Sequence, residues 1–166
     1  MKEYEGFTLL EMMIVLIVVS VFAAVAVPVY QNEVRKSDAA AVEQEIQKLA
    51  EQLERYKSRN FSYHGFDPKY LYGKSTAINS FDFPLNKPKK YVINLFDTSA
   101  RSPSVAKTLL STSDGLGQRW AIIAYSEGNQ NFHYFIDSSG VRCRNKTRAN
   151  MTYMGCGNTN TGMSTW

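Results

Sequence analysis

From Phe7 to Val27 the chain reads FTLLEMMIVLIVVSVFAAVAV, 21 residues with a single charged side chain, Glu11. As an α-helix this run spans roughly 31 Å, enough to cross the hydrocarbon core of a bilayer. An ionised carboxylate at that depth costs on the order of 2.5–3.5 kcal/mol and needs a partner. None of the other 20 residues in the run supplies a positive charge. Cutting the chain between Gly6 and Phe7 would create an α-ammonium beside Glu11, or beside the Glu11 of an adjacent copy. On that reading the segment is a processed assembly helix.

The helical pattern continues past the apolar run. Ala39, Val42, Ile46, Leu49, Leu53 and Tyr56 recur at spacings of three and four and mark one apolar face. Glu and Gln residues, with Lys48 and Arg55, fill the opposite face. The stripe covers little more than two heptads, so packing against the molecule's own sheet is expected rather than a coiled coil. Pro28 removes one helical hydrogen bond, which reads equally as a static bend or as a site of local melting.

Residues 58–90 lose the helical period and mix aromatics with Gly65, Pro68, Gly73, Pro84 and Pro88, as an extended loop does. Four strand-like runs follow, at 91–96, 120–125, 132–136 and 141–146. Short polar connectors join the last three into an antiparallel meander. The long Ser-, Thr- and Gly-rich stretch between Asp97 and Arg119 reads as a flexible excursion.

The residues Gly6-Phe7-Thr8-Leu9-Leu10-Glu11, the apolar run behind them, and Pro28 and Tyr30 resemble the class III signal of type IV pilins and pseudopilins. The leader MKEYEG carries one Lys and two Glu, where leaders of that family are usually net basic. The order of strands and the cysteine-bearing tail are similar to the heads of type IV pilins, PilE-type minor pilins in particular. The resemblance implies an α+β pilin fold: a long N-terminal helix, half transmembrane and half amphipathic, on a four-stranded antiparallel sheet with a disulfide-closed C-terminal loop. It divides the chain into a leader at 1–6 that is removed, a helix at 7–58 with its transmembrane part at 7–27, and a head at 59–166. It also implies cleavage and N-methylation at Gly6 and Phe7, and a role for Glu11 in setting register against a neighbour's Phe7 ammonium. The implied partners are other pilins in a helical filament, a prepilin peptidase and an inner-membrane assembly platform. The head would be periplasmic before assembly and lie on an extracellular pilus afterwards.

Removing six residues from 166 leaves 160, and the formal charge moves from +4 to +5, which permits an anionic partner without requiring one. The two cysteines, Cys143 and Cys156, belong to a head that leaves the cytoplasm, where such a pair usually forms a disulfide. A metal site would need ligands nearer than His64 and His133. No catalytic constellation, phosphate loop, HExxH pattern or calcium loop is found, and no cofactor is expected. Asn145-Lys146-Thr147 and Asn150-Met151-Thr152 match a glycosylation sequon, a weak signal.

The candidate binding residues are basic. Arg142, Arg144 and Lys146 alternate and would project from one strand face while Cys143 and Asn145 face the other; Arg148 follows, and Lys87, Lys89 and Lys90 form a second group. Such a row suits a DNA backbone, with Tyr153 and Trp166 available for stacking. The preferred reading of the row is nevertheless an edge strand guarded against aggregation, or an assembly role, with DNA binding second. The functions these features support are a structural, minor subunit that joins or initiates a type IV pilus and serves twitching, adhesion or DNA uptake. The alternatives are a DNA-binding competence pilin and a type II secretion pseudopilin.

Overall fold

The computed structural model describes residues 6–99, 116–128 and 130–166. The expected excursion between Asp97 and Arg119 lies mostly outside them, as does most of the leader. The chain divides into two units, Met1–Ser37 and Asp38–Trp166.

Helix α1 runs from Leu9 to Asn60. Thr8 caps its start, since Thr8 Oγ1 accepts the Glu11 backbone N–H at 3.2 Å. This is why the helix begins two residues after Phe7. Glu11 lies in the first turn, on the side of the helix dipole that favours a carboxylate. The helix continues through Pro28, where the carbonyl of Ala24 loses its usual donor. In the first unit the apolar side chains stand exposed, among them Phe7, Leu9, Leu10, Val21 and Phe22. This part of the helix is long and apolar enough to cross a membrane. At the far end Phe61 takes a positive φ of 59°, and α1 stops.

In the second unit Val42, Ile46, Leu49 and Leu53 are fully buried, the face that the three–four spacing marks. They pack on a sheet of five antiparallel strands in the order β1-β2-β3-β4-β5: β1 Ser80–Phe83, β2 Tyr91–Asp97, β3 Trp120–Ser126, β4 His133–Asp137 and β5 Arg142–Asn145. The fifth strand corrects the four expected. β1 lies inside the stretch read as loop and pairs from Ser80↔Asn94 to Phe83↔Tyr91. Its alternation of Ser80 and Asp82 with Phe81 and Phe83 lasts only four residues and is hidden by the flanking prolines, which fall in the connection to β2 rather than in the strand.

The sheet has two covered faces. Toward α1 lie Tyr91, Ile93, Leu95, Ile122, Ala124, Tyr134 and Ile136. The other face carries Ala121, Ile123 and Phe135, covered by Cys143, Met151 and Cys156. Cys143 and Cys156 form the expected disulfide, with Cα atoms 6.0 Å apart. Pairing both faces accounts for the near-continuous burial of β3.

The base of the excursion is tied down by Asp97, which is fully buried. Its Oδ1 accepts Ser99 N–H and its Oδ2 accepts Gly117 N–H, both at 2.8 Å. Gly117 in turn accepts Tyr63 N–H at 2.8 Å, so the two ends of the excursion dock on the connection that follows α1.

Candidate functional site

β5 is an edge of the sheet, and its alternation is the one the sequence suggests. Cys143 and Asn145 are buried, Arg142 and Lys146 exposed, and Arg144 half-buried. The register Tyr134↔Arg144 and Ile136↔Arg142 puts the two arginines on the α1 side of the sheet. Alternate residues on a strand stand roughly 6.6 Å apart, close to two steps of about 3.4 Å along a DNA strand.

Each cation rests on an aromatic ring. The Arg142 guanidinium lies 5.8 Å from the centre of the Trp166 ring. Arg144 and the Lys146 ammonium share Phe132, at 4.7 Å and 5.2 Å. Such contacts hold the charged heads themselves over the rings. Arg144 is fixed further: its Nε donates to Ser164 Oγ at 3.1 Å, and its backbone exchanges hydrogen bonds with Ser164. Beneath it, burial and the nearby Glu43 push the Tyr134 hydroxyl up to about 12, opposed by Arg144. Among the described residues no carboxylate forms an ion pair with Arg142, Arg144, Lys146 or Arg148.

Arg148 does not extend the row. It opens a single 3-10 turn, Arg148–Asn150, and its guanidinium lies 4.6 Å from the Tyr125 ring, on the face away from α1. Burial raises the Tyr125 hydroxyl, and Arg148 partly offsets that rise. Lys146 joins the two sides, because it also lines a cleft of about 260 Å³ with Arg148, His133, Ser126, Glu127 and Gly128.

The second basic group is largely neutralised. Lys90 binds Asp38 at 2.6 Å, and Lys89 binds Glu127 at 3.2 Å. Lys87 alone of the three makes no ion pair among the described residues, and it lines a separate cleft beside β1.

Trp166 is not a free stacking platform. Its Nε1–H donates to the carbonyls of Cys143, at 2.9 Å, and Phe135, and its ring meets Tyr134 edge-on. Tyr153 is half-buried in the disulfide loop. The sequons are engaged as well: the Asn145 amide donates to the Cys156 and Thr161 carbonyls, and the Asn150 amide to Thr161. Among the described residues no group of three or more His, Cys, Asp or Glu is placed to hold a metal. Phe132, Tyr125 and Ser164 complete the basic site; only the aromatic character of its neighbours hinted at the first two, and nothing pointed to Ser164.

The family model described as type IV minor pilin ComP, DNA uptake sequence receptor, matches residues 28–115. The chain belongs to this type IV minor pilin family. A second model, the prokaryotic N-terminal methylation motif, matches residues 1–27 and covers the class III signal. The minor pilin is also 26% identical over 127 residues to the type IV major fimbrial protein FimA of Dichelobacter nodosus, 70% of this chain and 79% of that one. It is 41% identical over 46 residues to the type IV major alpha-pilin of Moraxella bovis, and 31% identical over 62 residues to the type II secretion system core protein G of Pseudomonas aeruginosa. Those two alignments cover 28% and 37% of this chain, and span only 29% and 44% of the relatives' lengths. No solved structure matches. The family makes this a structural protein, a minor pilin subunit with the apolar helix and signal of a membrane-anchored pilin.

Proposed function

We propose that this minor pilin joins a type IV pilus and captures DNA there through Arg142, Arg144, Lys146 and Arg148. The observation that carries the DNA reading is the set of four cations, each seated on an aromatic ring and none paired with a carboxylate among the described residues. A guard for an edge strand needs only charge; seating each charged head over a ring also positions it, which suits a regularly spaced polyanion. The family's description as a DNA uptake sequence receptor supports the same reading. Replacing Arg142, Arg144 and Lys146 together should abolish DNA uptake with filament number unchanged. Loss of filaments instead would assign the row to assembly.

Delivery of this site to the cell surface follows from the N-terminus. In this proposal a prepilin peptidase cleaves after Gly6 and the Phe7 amine is methylated. The protein waits in the inner membrane with its head in the periplasm, then passes through the assembly platform into the extracellular pilus. In the filament the apolar side chains of residues 7–27 exchange lipid for neighbouring helices. Glu11 pairs with a neighbouring Phe7 ammonium and fixes axial register, since an unpaired carboxylate in an apolar core carries a large penalty.

A further inference from the structure

The cleft between the end of β3 and the segment after β5 holds one polar group that neither the fold nor the cation row uses. His133 is 5% exposed and lines this cleft. Its Nδ1 accepts the Ser126 backbone N–H at 2.8 Å. That bond fixes the tautomer, because a ring nitrogen that accepts carries no proton and the neutral ring must hold its proton on Nε2. Among the described residues Nε2–H makes no hydrogen bond within the protein, and it is not one of the buried unpaired polar atoms, which are Tyr91 Oη and Trp120 Nε1.

The other groups around the cleft sort themselves. Ser126 is occupied, its Oγ donating to the Gly128 carbonyl and accepting Gly128 N–H. The Glu127 carboxylate is held by Lys89. Lys146 and Arg148 remain without carboxylate partners, each braced on a ring. The lining therefore presents two cations and one neutral, oriented N–H donor, with its single acid already paired. Burial and Arg148 lower the His133 proton affinity, so the ring stays a neutral donor at neutral pH.

We propose that this cleft is a phosphate subsite, in which His133 Nε2–H donates to a phosphate oxygen while Lys146 and Arg148 supply the charge. Three donor residues lining one cleft are what a tetrahedral phosphate, with several acceptor oxygens, can satisfy together. The inference deepens the DNA reading, and rests on it for the source of the phosphate. It gives Arg148 and Lys146 a task apart from the row on the α1 side: anchoring one backbone phosphate at the β3–β4 end of the sheet.

The test uses the full chain in detergent micelles with ¹⁵N-labelled histidine, the two rings being told apart with His64→Gln. Inorganic phosphate, glycerol 1-phosphate and a short duplex are titrated separately, and duplex binding is followed independently by fluorescence anisotropy. The expected result is a saturable shift of the His133 ring signals with inorganic phosphate, reproduced by the duplex in competition with it. Lys146→Ala or Arg148→Ala, both surface changes, should weaken inorganic phosphate about tenfold, the loss of one charge-assisted hydrogen bond. His133→Gln, which keeps an N–H donor, should retain more affinity than His133→Ala. If the His133 signals ignore phosphate, or move without saturating, the subsite does not exist. A duplex that binds by anisotropy without moving His133 also overturns the inference, and leaves the DNA reading standing. Saturable phosphate and glycerol phosphate shifts without any duplex binding uphold the subsite and remove DNA as its source.

Discussion

Replacing Arg142, Arg144 and Lys146 with Gln removes three charges and the cation–ring contacts their heads make with Trp166 and Phe132. The local hydrogen-bond loss is the Arg144 Nε bond to Ser164 Oγ, worth about 1 kcal/mol at a partly exposed site, so the fold should survive. The effect on DNA is larger and has a shape. Each neutralised phosphate contributes about 0.9 to the slope of log K against log salt, so four cations give a slope near −3.6. Raising salt from about 50 to about 200 mM should then weaken the native protein roughly 150-fold. The variant retains only Arg148, a slope near −0.9 and a loss of about 3.5-fold over the same range. Fluorescence anisotropy with a random-sequence duplex at several salt concentrations reads both slopes, and thermal melts of the same samples check the fold. A folded variant with the native slope would refute the reasoning, since the row would then touch no phosphate.

Glu11→Ala should leave cleavage after Gly6 largely intact while reducing incorporation into sheared filaments; mass spectrometry of filaments and membranes reads both, and normal incorporation removes the register role. Gly117→Ala should cost on the order of 3 kcal/mol or more, because φ is +61° and the new Cβ would stand 2.2 Å from the His64 backbone nitrogen; an unchanged denaturation midpoint would contradict that docking. Reducing Cys143–Cys156 opens a loop of 13 residues' separation and should cost roughly 3 kcal/mol, seen as a lower melting temperature in reductant and absent from a Cys143→Ser, Cys156→Ser double variant. His133 has a native proton affinity below its ordinary value of 6.5, so the unfolded chain takes up the proton first. Its contribution is complete above pH about 6.5 and is lost as pH falls below it; urea midpoints should decline less steeply over that range in His133→Gln.

The helical part of this chain was legible because its signals are long. An apolar run of 21 residues and a stripe over about three turns at Val42, Ile46, Leu49 and Leu53 survive any local ambiguity, and both appear where the periodicity puts them. Strands β2 to β4 were legible because each is a hydrophobic run bounded by polar turns, and β5 because its charged and buried residues alternate, although the boundaries move by a residue. β1 was not, because four residues of alternation between Ile78 and Pro84 carry less weight than the prolines beside them. It shows itself only in its pairing with β2, from Ser80↔Asn94 to Phe83↔Tyr91.

The basic site shows a different limit. Period two places Arg142, Arg144 and Lys146 together as long as the strand lasts, and DNA-like spacing can be read off directly. Beyond Asn145 the strand ends, its side-chain Nδ2 donating to the Cys156 and Thr161 carbonyls while its Oδ1 accepts Thr147 N–H at 2.8 Å. The chain turns there, and Arg148 arrives on the opposite side of the sheet, over Tyr125. A linear stripe of four cations therefore becomes three on one side and one on the other, with Lys146 at the corner. What fixes that corner is Asn145, a residue first read as a weak sequon. The consequence for capture is geometric. A polyanion lying only along the α1 side meets Arg142, Arg144 and Lys146, whereas one that crosses the end of β5 also meets Arg148 and His133. Arg148→Gln should therefore cost one unit of salt slope, about 0.9, only if the bound strand crosses that edge, and an undiminished slope would confine it to the row.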